Sequence, residues 1–187
     1  WDGHNSFRRS IDPQYKANRT HGTSEEFQAV YRQMEVFRAV LKAIGVIQVC
    51  VDVLEADDLL GILSHYGAAR REAVVNITSD KDLFQLLSRR VQQVRGWTGL
   101  KLDVWTPARL LEVYGVAPHD WARYLAIIGD KMDNIPKLCH GMGPVRARRV
   151  LAGELKLTPE QALMFRINLK LTTVRRHDAA CDPRQLE

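Results

Sequence analysis

GDKMDNIPKLCHGMGPVRA, residues 129–147, is the stretch around which the chain is organised. It opens with two carboxylates, Asp130 and Asp133, followed by the turn signal Asn134-Ile135-Pro136. It continues through Gly141-Met142-Gly143-Pro144 into a run carrying Arg146, Arg148 and Arg149. Acid, then a glycine turn, then base is the layout expected where a metal site passes into a phosphate-binding element. Glycines let backbone N–H groups approach a phosphate, and the helix N-terminus behind them favours an anion.

The residues upstream of this stretch alternate between strand and helix signals. Segments 46–53, 73–78, 91–94 and 102–105 are short, apolar and rich in β-branched residues, and predict strands. Helices are predicted over 59–66, 83–87, 108–114 and 119–128, the third opened by Thr106-Pro107. Downstream, helices are predicted over 144–151 and from the Thr158-Pro159 cap to about Leu171, with a loose tail. Phe27, Val30, Met34, Phe37, Leu41 and Ile44 alternate in steps of three and four, which predicts a helix with one apolar stripe committed to the core. Ser24 would cap it after a 20–24 loop, and Gly45 would end it. This pattern argues for an α/β fold with a mainly parallel sheet, whose ligand site lies at the carboxyl ends of the strands.

Acidic clusters fall at that end. Glu55, Asp57 and Asp58 follow the first predicted strand, and Asp80 and Asp82 follow the second; Asp2 would join them if a strand precedes it. Each cluster alone has a plainer reading as a helix cap or a charged helix start. Gathered in one cleft they would repel and raise each other's pKa unless divalent cations neutralised them. Oxygen donors without paired His or Cys suit Mg²⁺ or Mn²⁺. Two such ions about 4 Å apart are suited to phosphodiester hydrolysis.

Charge placement adds a partner. The net charge is +5, and all of the excess lies after Pro136, where ten Lys/Arg face five Asp/Glu. Phe7, Arg8, Arg9, Tyr15, Lys16 and Arg19 interleave aromatics with cations, which suits phosphates and stacked bases. No apolar run approaches the roughly 18 residues of a membrane span. Cys50, Cys139 and Cys181 form no CxxC pair, which fits a reducing cytoplasmic compartment.

In order along the chain, Asp2…Phe7-Arg8…Tyr15-Lys16-x-Asn18-Arg19, Glu55-Ala56-Asp57-Asp58, Ser79-Asp80-Lys81-Asp82 and Gly129-Asp130-x-x-Asp133-Asn134-Ile135-Pro136…Gly141-x-Gly143 resemble the structure-specific 5′ nucleases. That superfamily includes the 5′→3′ exonuclease domain of bacterial DNA polymerase I, phage 5′ exonucleases and flap endonucleases. The resemblance implies a PIN-like core over 1–128, with a short helical arch near 15–45. A helix–three-turn–helix DNA-binding region would follow over 129–187. It implies a monomeric two-metal (Mg²⁺ or Mn²⁺) hydrolase acting on DNA with a 5′ end, a flap or a single-strand/duplex junction. Asp2, Glu55, Asp57, Asp58, Asp80, Asp82, Asp130 and Asp133 match its metal carboxylates. Lys16 and Arg19 match cations near the scissile phosphate. Arg8 and Tyr15 would join them in contacting DNA, Tyr15 by stacking on the terminal base. Gly141, Gly143, Arg146, Arg148 and Arg149 match the duplex grip, where a K⁺ ion is also expected. The family carries a further strand with a metal Asp ahead of Asp2, and that strand is expected to precede Trp1. Without that Asp, a non-catalytic branched-DNA binding module is the alternative. An RNA-cleaving PIN-like enzyme would share the acidic cleft but not the duplex grip.

Overall fold

The computed structural model describes residues 1–19 and 25–186. Three strands, β1 (Val74–Ile77), β2 (Val91–Thr98) and β3 (Lys101–Trp105), form one sheet in that order. β1 and β2 run parallel and β2 and β3 antiparallel, so the sheet is mixed rather than mainly parallel. The helices are α1 (Arg8–Ile11), α2 (Glu25–Ala43), α3 (Ala56–Ala69), α4 (Pro107–Tyr114), α5 (Pro118–Ile128), α6 (Pro144–Leu151) and α7 (Pro159–Thr172). Two short 3₁₀ helices, Asp82–Leu86 and Pro183–Leu186, complete the described secondary structure. The first of them replaces the α-helix expected over 83–87.

Local chemistry accounts for the helix starts. Pro stands in the first turn of α4, α5, α6 and α7, where its missing N–H costs nothing. The hydroxyls of Thr106 and Thr158 accept the N–H groups of Arg109 and Gln161 at the starts of α4 and α7. The main core lies where these helices meet the sheet. Phe84, Trp105, Leu110, Trp121, Tyr124, Ile127, Met142 and Ala147 are buried together. Their rings form a chain of contacts, with Phe84 on Trp105 at 4.5 Å and Trp121 on Tyr124 at 5.1 Å between centroids. This core crosses residue 128, so the segments on either side pack as one body.

Three expectations are corrected. Segment 46–53 is not a strand. It runs as an irregular segment that accepts hydrogen bonds from the N-terminal residues: Trp1 N–H donates to Val49 C=O at 2.8 Å and Asn5 N–H to Asp52 C=O at 2.9 Å. β-branched composition favours a strand only when a neighbouring strand pairs with it. The apolar stripe of α2 is not core either: Phe27, Val30, Met34 and Phe37 are all exposed. Its periodicity establishes a shared face that stays largely exposed among the described residues. The tail is not loose. Val174 N–H donates to Gln85 Oε1 at 2.9 Å, Arg176 donates to the Gln85 carbonyl at 2.7 Å, and Cys181 is buried against Leu54, Leu59 and Ile62. The expected Ser24 cap and 20–24 loop lie outside the described residues.

Candidate active site and metal centre

Four backbone segments bring the acidic motifs together. The first is the start of α3, where Glu55 precedes the helix and Asp57 and Asp58 occupy its first turn. Asp2 reaches this start from the N-terminal segment, its Oδ1 accepting Ala56 N–H at 2.7 Å. Gly3 is needed for that approach, because a Cβ there would lie 2.2 Å from the Val51 carbonyl.

The second is the loop after β1. Asp82 N–H closes a turn onto Asp80 Oδ1 at 2.9 Å. Gln93, fully buried on β2, donates to the carbonyls of Thr78 and Asp80 at 2.9 and 2.6 Å. Trp121 Nε1 donates to the Lys81 carbonyl at 2.7 Å. The loop is thus tied to the core from two sides, with Asp80 exposed and Asp82 half-buried.

The third is 129–136, the acidic half of the 129–147 stretch. Asp130 and Ile135 exchange backbone hydrogen bonds at 2.9 and 2.7 Å, closing a tight loop. Gly129 has φ 69 and ψ 171, a region essentially reserved for glycine, and a Cβ would meet the Ile135 carbonyl at 2.6 Å. Asn134 adopts φ 58 and donates to the Gln14 carbonyl at 2.8 Å.

The fourth segment, 14–19, is clasped by the third. Lys16 N–H donates to the Asp133 carbonyl at 3.0 Å, and Asn18 to the Lys131 carbonyl at 2.8 Å. Arg19 pairs with Asp133 at 2.5 Å. Lys16 Nζ lies 2.9 Å from Glu55 Oε2 and 3.8 Å from Asp133 Oδ2, so one ammonium bridges two acidic motifs.

Asp80, Asp82, Asp130 and Asp133 line a cleft of about 590 Å³ together with Arg19, Lys81, Arg95 and Lys131. Tyr114, Trp121 and Tyr124 form an aromatic wall of the same cleft. Burial first, then the neighbouring charges of Asp80, Asp130, Asp133 and Asp57, push Asp82 up to about 8. Burial and Asp80 push Asp57 up to about 6, with Glu55 and Asp2 adding to the shift and Lys16 opposing it. These carboxylates therefore share one field and carry more negative charge than the protein compensates. An oxygen-only donor set in that state fits a hard divalent cation. The shell is not ready-made: among the described residues no three acidic, His or Cys side chains form a metal-sized cluster. The charge coupling reaches further than coordination distance, and the two observations together describe an acidic basin rather than a closed cage.

Three sequence-based assignments change. Arg8 is buried and spends all five of its donors within the protein. Its Nη atoms bind Asp58 at 2.6 and 2.8 Å and reach Glu55 at 3.3 Å, while Nε and Nη2 donate to the carbonyls of Leu171 and Thr173. Burial works against its charge, but Asp58 and Glu55 outweigh this and hold its pKa above the ordinary value. Arg8 is therefore a clamp between α3 and α7 and has nothing free to offer DNA. Asp58 is correspondingly closed to a cation: fully buried, it accepts two Arg8 donors and the Arg175 N–H. Tyr15 is buried as well, and its hydroxyl lies 3.1 Å from both Glu55 Oε2 and Asp133 Oδ2. Burial and those two charges raise its pKa, and its ring is not exposed for stacking on a base.

On the basic side, Gly141 has φ 74 and Gly143 precedes α6. Arg146 and Arg149 are exposed, whereas Arg148 turns inward to donate to the Tyr114 carbonyl at 3.2 Å. Lys81, Arg95, Lys131 and Tyr114 also belong to the cleft, although sequence reading did not select them. Lys81 and Lys131 stand inside the acidic motifs and were within reach of that reading. Arg95 and Tyr114 carry no motif.

The profile of the family described as "5'-3' exonuclease, N-terminal resolvase-like domain" matches residues 1–115, more than half of the chain. The chain belongs to the 5′–3′ exonuclease family. It is 36% identical over 148 residues to DNA polymerase I of Pseudomonas aeruginosa, covering 79% of this chain and 15% of that protein. It is 37% identical over 146 residues to the thermostable DNA polymerase I of Thermus aquaticus, covering 78% and 16%. A 5′-3′ exonuclease of Buchnera aphidicola is 30% identical over 131 residues, covering 70% of this chain and 43% of the relative. The chain thus spans a small part of the polymerases and under half of that exonuclease. Among solved structures, the bacteriophage T5 D15 protein co-crystallised with metal ions superposes with a TM-score of 0.75 at 20% identity. That match covers 91% of this chain and 73% of the T5 chain. The T5 D15 flap endonuclease, as a pseudo-enzyme–product complex with DNA and metal ions, superposes with a TM-score of 0.73 at 22% identity, covering 91% and 71%. At these identities the likeness establishes the 5′–3′ exonuclease fold. The family is one of nuclease enzymes.

Proposed function

We propose that the chain is a divalent-metal-dependent 5′→3′ exonuclease and 5′-flap endonuclease acting on DNA. The observation that carries this is the basin formed by Asp57, Asp80, Asp82, Asp130 and Asp133, where burial and then the neighbouring carboxylates raise two carboxyl pKa values beside a cationic rim. Asp2, Glu55, Asp57, Asp80, Asp82, Asp130 and Asp133 would hold Mg²⁺ or Mn²⁺. Bound there as a pair, the ions would supply an activated water and charge stabilisation at the leaving oxygen. Lys16 and Arg19 pair with Glu55 and Asp133; were divalent ions held there, the same cations would be free to meet a phosphate. Asp58, enclosed by Arg8, acts by fixing the start of α3.

Residues 129–187 would serve as the duplex-binding region, with Gly141 to Gly143 and the start of α6 as the turn of a helix–three-turn–helix element. Glycine at 141 and 143 leaves backbone N–H groups unobstructed, and exposed Arg146 and Arg149 follow. A K⁺ ion would sit at the same turn.

The test is the Asp80→Asn, Asp82→Asn double variant on a 5′-flap DNA with Mg²⁺. Wild type should cut near the junction and release nucleotides from the 5′ end, and the variant should lose nearly all turnover. Cleavage near the wild-type rate would remove the metal assignment. The open arrangement of the carboxylates also favours a second reading, a branched-DNA binding module. Flap binding in EDTA with no cleavage by wild type in Mg²⁺ or Mn²⁺ would establish it. Faster cutting of a matched RNA flap would move the substrate class to RNA.

A further inference from the structure

We infer that Arg95 is a substrate-binding residue of the cleft, clamping a phosphate of the strand being cut. This deepens the nuclease reading above and rests on it. Arg95 lies on β2, outside every motif, yet it lines the same cleft as Asp80, Asp82, Asp130 and Asp133. Its side chain is fixed from three sides. Nε donates to the Ser79 carbonyl at 3.0 Å, and the guanidinium lies 5.7 Å from the ring centres of both Phe84 and Trp105. Cation–π contact with two packed rings holds the planar group in place.

The terminal nitrogens remain available. Arg95 forms no ion pair among the described residues. The acid that would otherwise compete, Asp103, is engaged by Arg109 at 2.7 Å and by Trp105 Nε1 at 3.2 Å. A half-buried guanidinium with its stem anchored and its Nη groups open is pre-organised for a bidentate oxyanion. Arg19 contrasts with it, since it is exposed and already bonded to Asp133. Arg95 hydrogen-bonds to the carbonyl of Ser79, immediately before Asp80, which places it within the metal-side wall of the cleft. The anion that a cation there would meet, in a cleft built for phosphodiester hydrolysis, is a phosphate of the polynucleotide itself.

The test compares wild type, Arg95→Met and Arg95→Lys on a 5′-flap DNA in Mg²⁺ across a salt series, with thermal melts as a folding control. Arg95→Met keeps a stem over the rings and removes the charge. It should raise KM about tenfold with kcat within about twofold, the pattern of lost ground-state binding. It should also flatten the slope of log affinity against log salt by about 0.7–0.9, the share of one phosphate contact. Arg95→Lys should restore the slope and only part of KM, because a point charge replaces the fork. An unchanged KM and salt slope in Arg95→Met would overturn the inference. So would a lowered melting temperature and kcat with the slope intact, which is the signature of a structural role. If wild type itself neither binds nor cuts the flap, the nuclease reading fails first, and the two failures are thereby distinct.

Discussion

Asp82→Asn separates the cost of the acidic basin from its use. The Asp82 carboxylate receives no hydrogen bond among the described residues, and its neighbours include Asp80, Asp130, Asp133 and Asp57. Its pKa stands at about 8 against an ordinary 3.8. The folded protein therefore binds a proton there more tightly than the unfolded chain does. The contribution to stability is fully present below about pH 4 and is lost as pH rises through about 8. At about 1.36 kcal/mol per pH unit, the difference between 3.8 and 7 amounts to roughly 4 kcal/mol. Relaxation and water entry reduce this, so the expected gain for the metal-free Asn variant is about 1–2 kcal/mol. In a chain of this size that corresponds to a rise of roughly 2–8 °C in melting temperature.

The assay is urea denaturation in EDTA at pH 6 and pH 8.5, for wild type and Asp82→Asn. Wild type should lose stability between the two pH values, and the variant should lose less. Adding Mg²⁺ should restore wild type at pH 8.5 and do little for the variant, which should also be inactive on flap DNA. A variant that is less stable than wild type at pH 8.5, or that keeps the same pH slope, would refute the claim that Asp82 carries uncompensated charge.

Other expectations follow from the same geometry. Gly129→Ala should cost about 1–3 kcal/mol from backbone strain alone; its Cβ contact of 2.6 Å with the Ile135 carbonyl should add to that, and a variant with unchanged urea midpoint would contradict the glycine requirement. Arg8→Met leaves buried Asp58 unpaired and should cost about 3–5 kcal/mol. Arg8→Met combined with Asp58→Asn should cost clearly less than the two single changes added together, and strict additivity would show that the pair is not coupled. Arg146→Ala with Arg149→Ala should weaken duplex-flank binding and lower its salt slope, and an unchanged slope would take α6 out of the DNA-binding surface.

The sequence carried the acidic motifs because each is local: a short run of carboxylates beside a predicted element end. Their expected convergence takes the form of specific contacts, as the 129–136 loop clasps residues 14–19 and Lys16 bridges Glu55 and Asp133. What one-dimensional reading could not assign is the state of a charge, because that is decided by a distant partner. Arg8 and Arg19 look alike in the sequence, two cations in one basic segment. Arg8 is consumed by Asp58, fifty positions away, and by carbonyls at the end of α7. Arg19 is exposed and leans on Asp133. The same limit explains α2 and segment 46–53. Periodicity and β-branching specify a face or a strand tendency, and only a covering surface or a pairing edge turns either into core. Arg95 is the converse case. No pattern marks it, and its significance lies in what surrounds it: two rings beneath, a carbonyl at one side, and Asp103 already held by Arg109. A residue whose role rests on the neutralisation of its neighbours is found by accounting for every charge in the cleft. By that accounting Arg95 is an anchored cation with no ion pair among the described residues, lining the same cleft as Asp80 and Asp82.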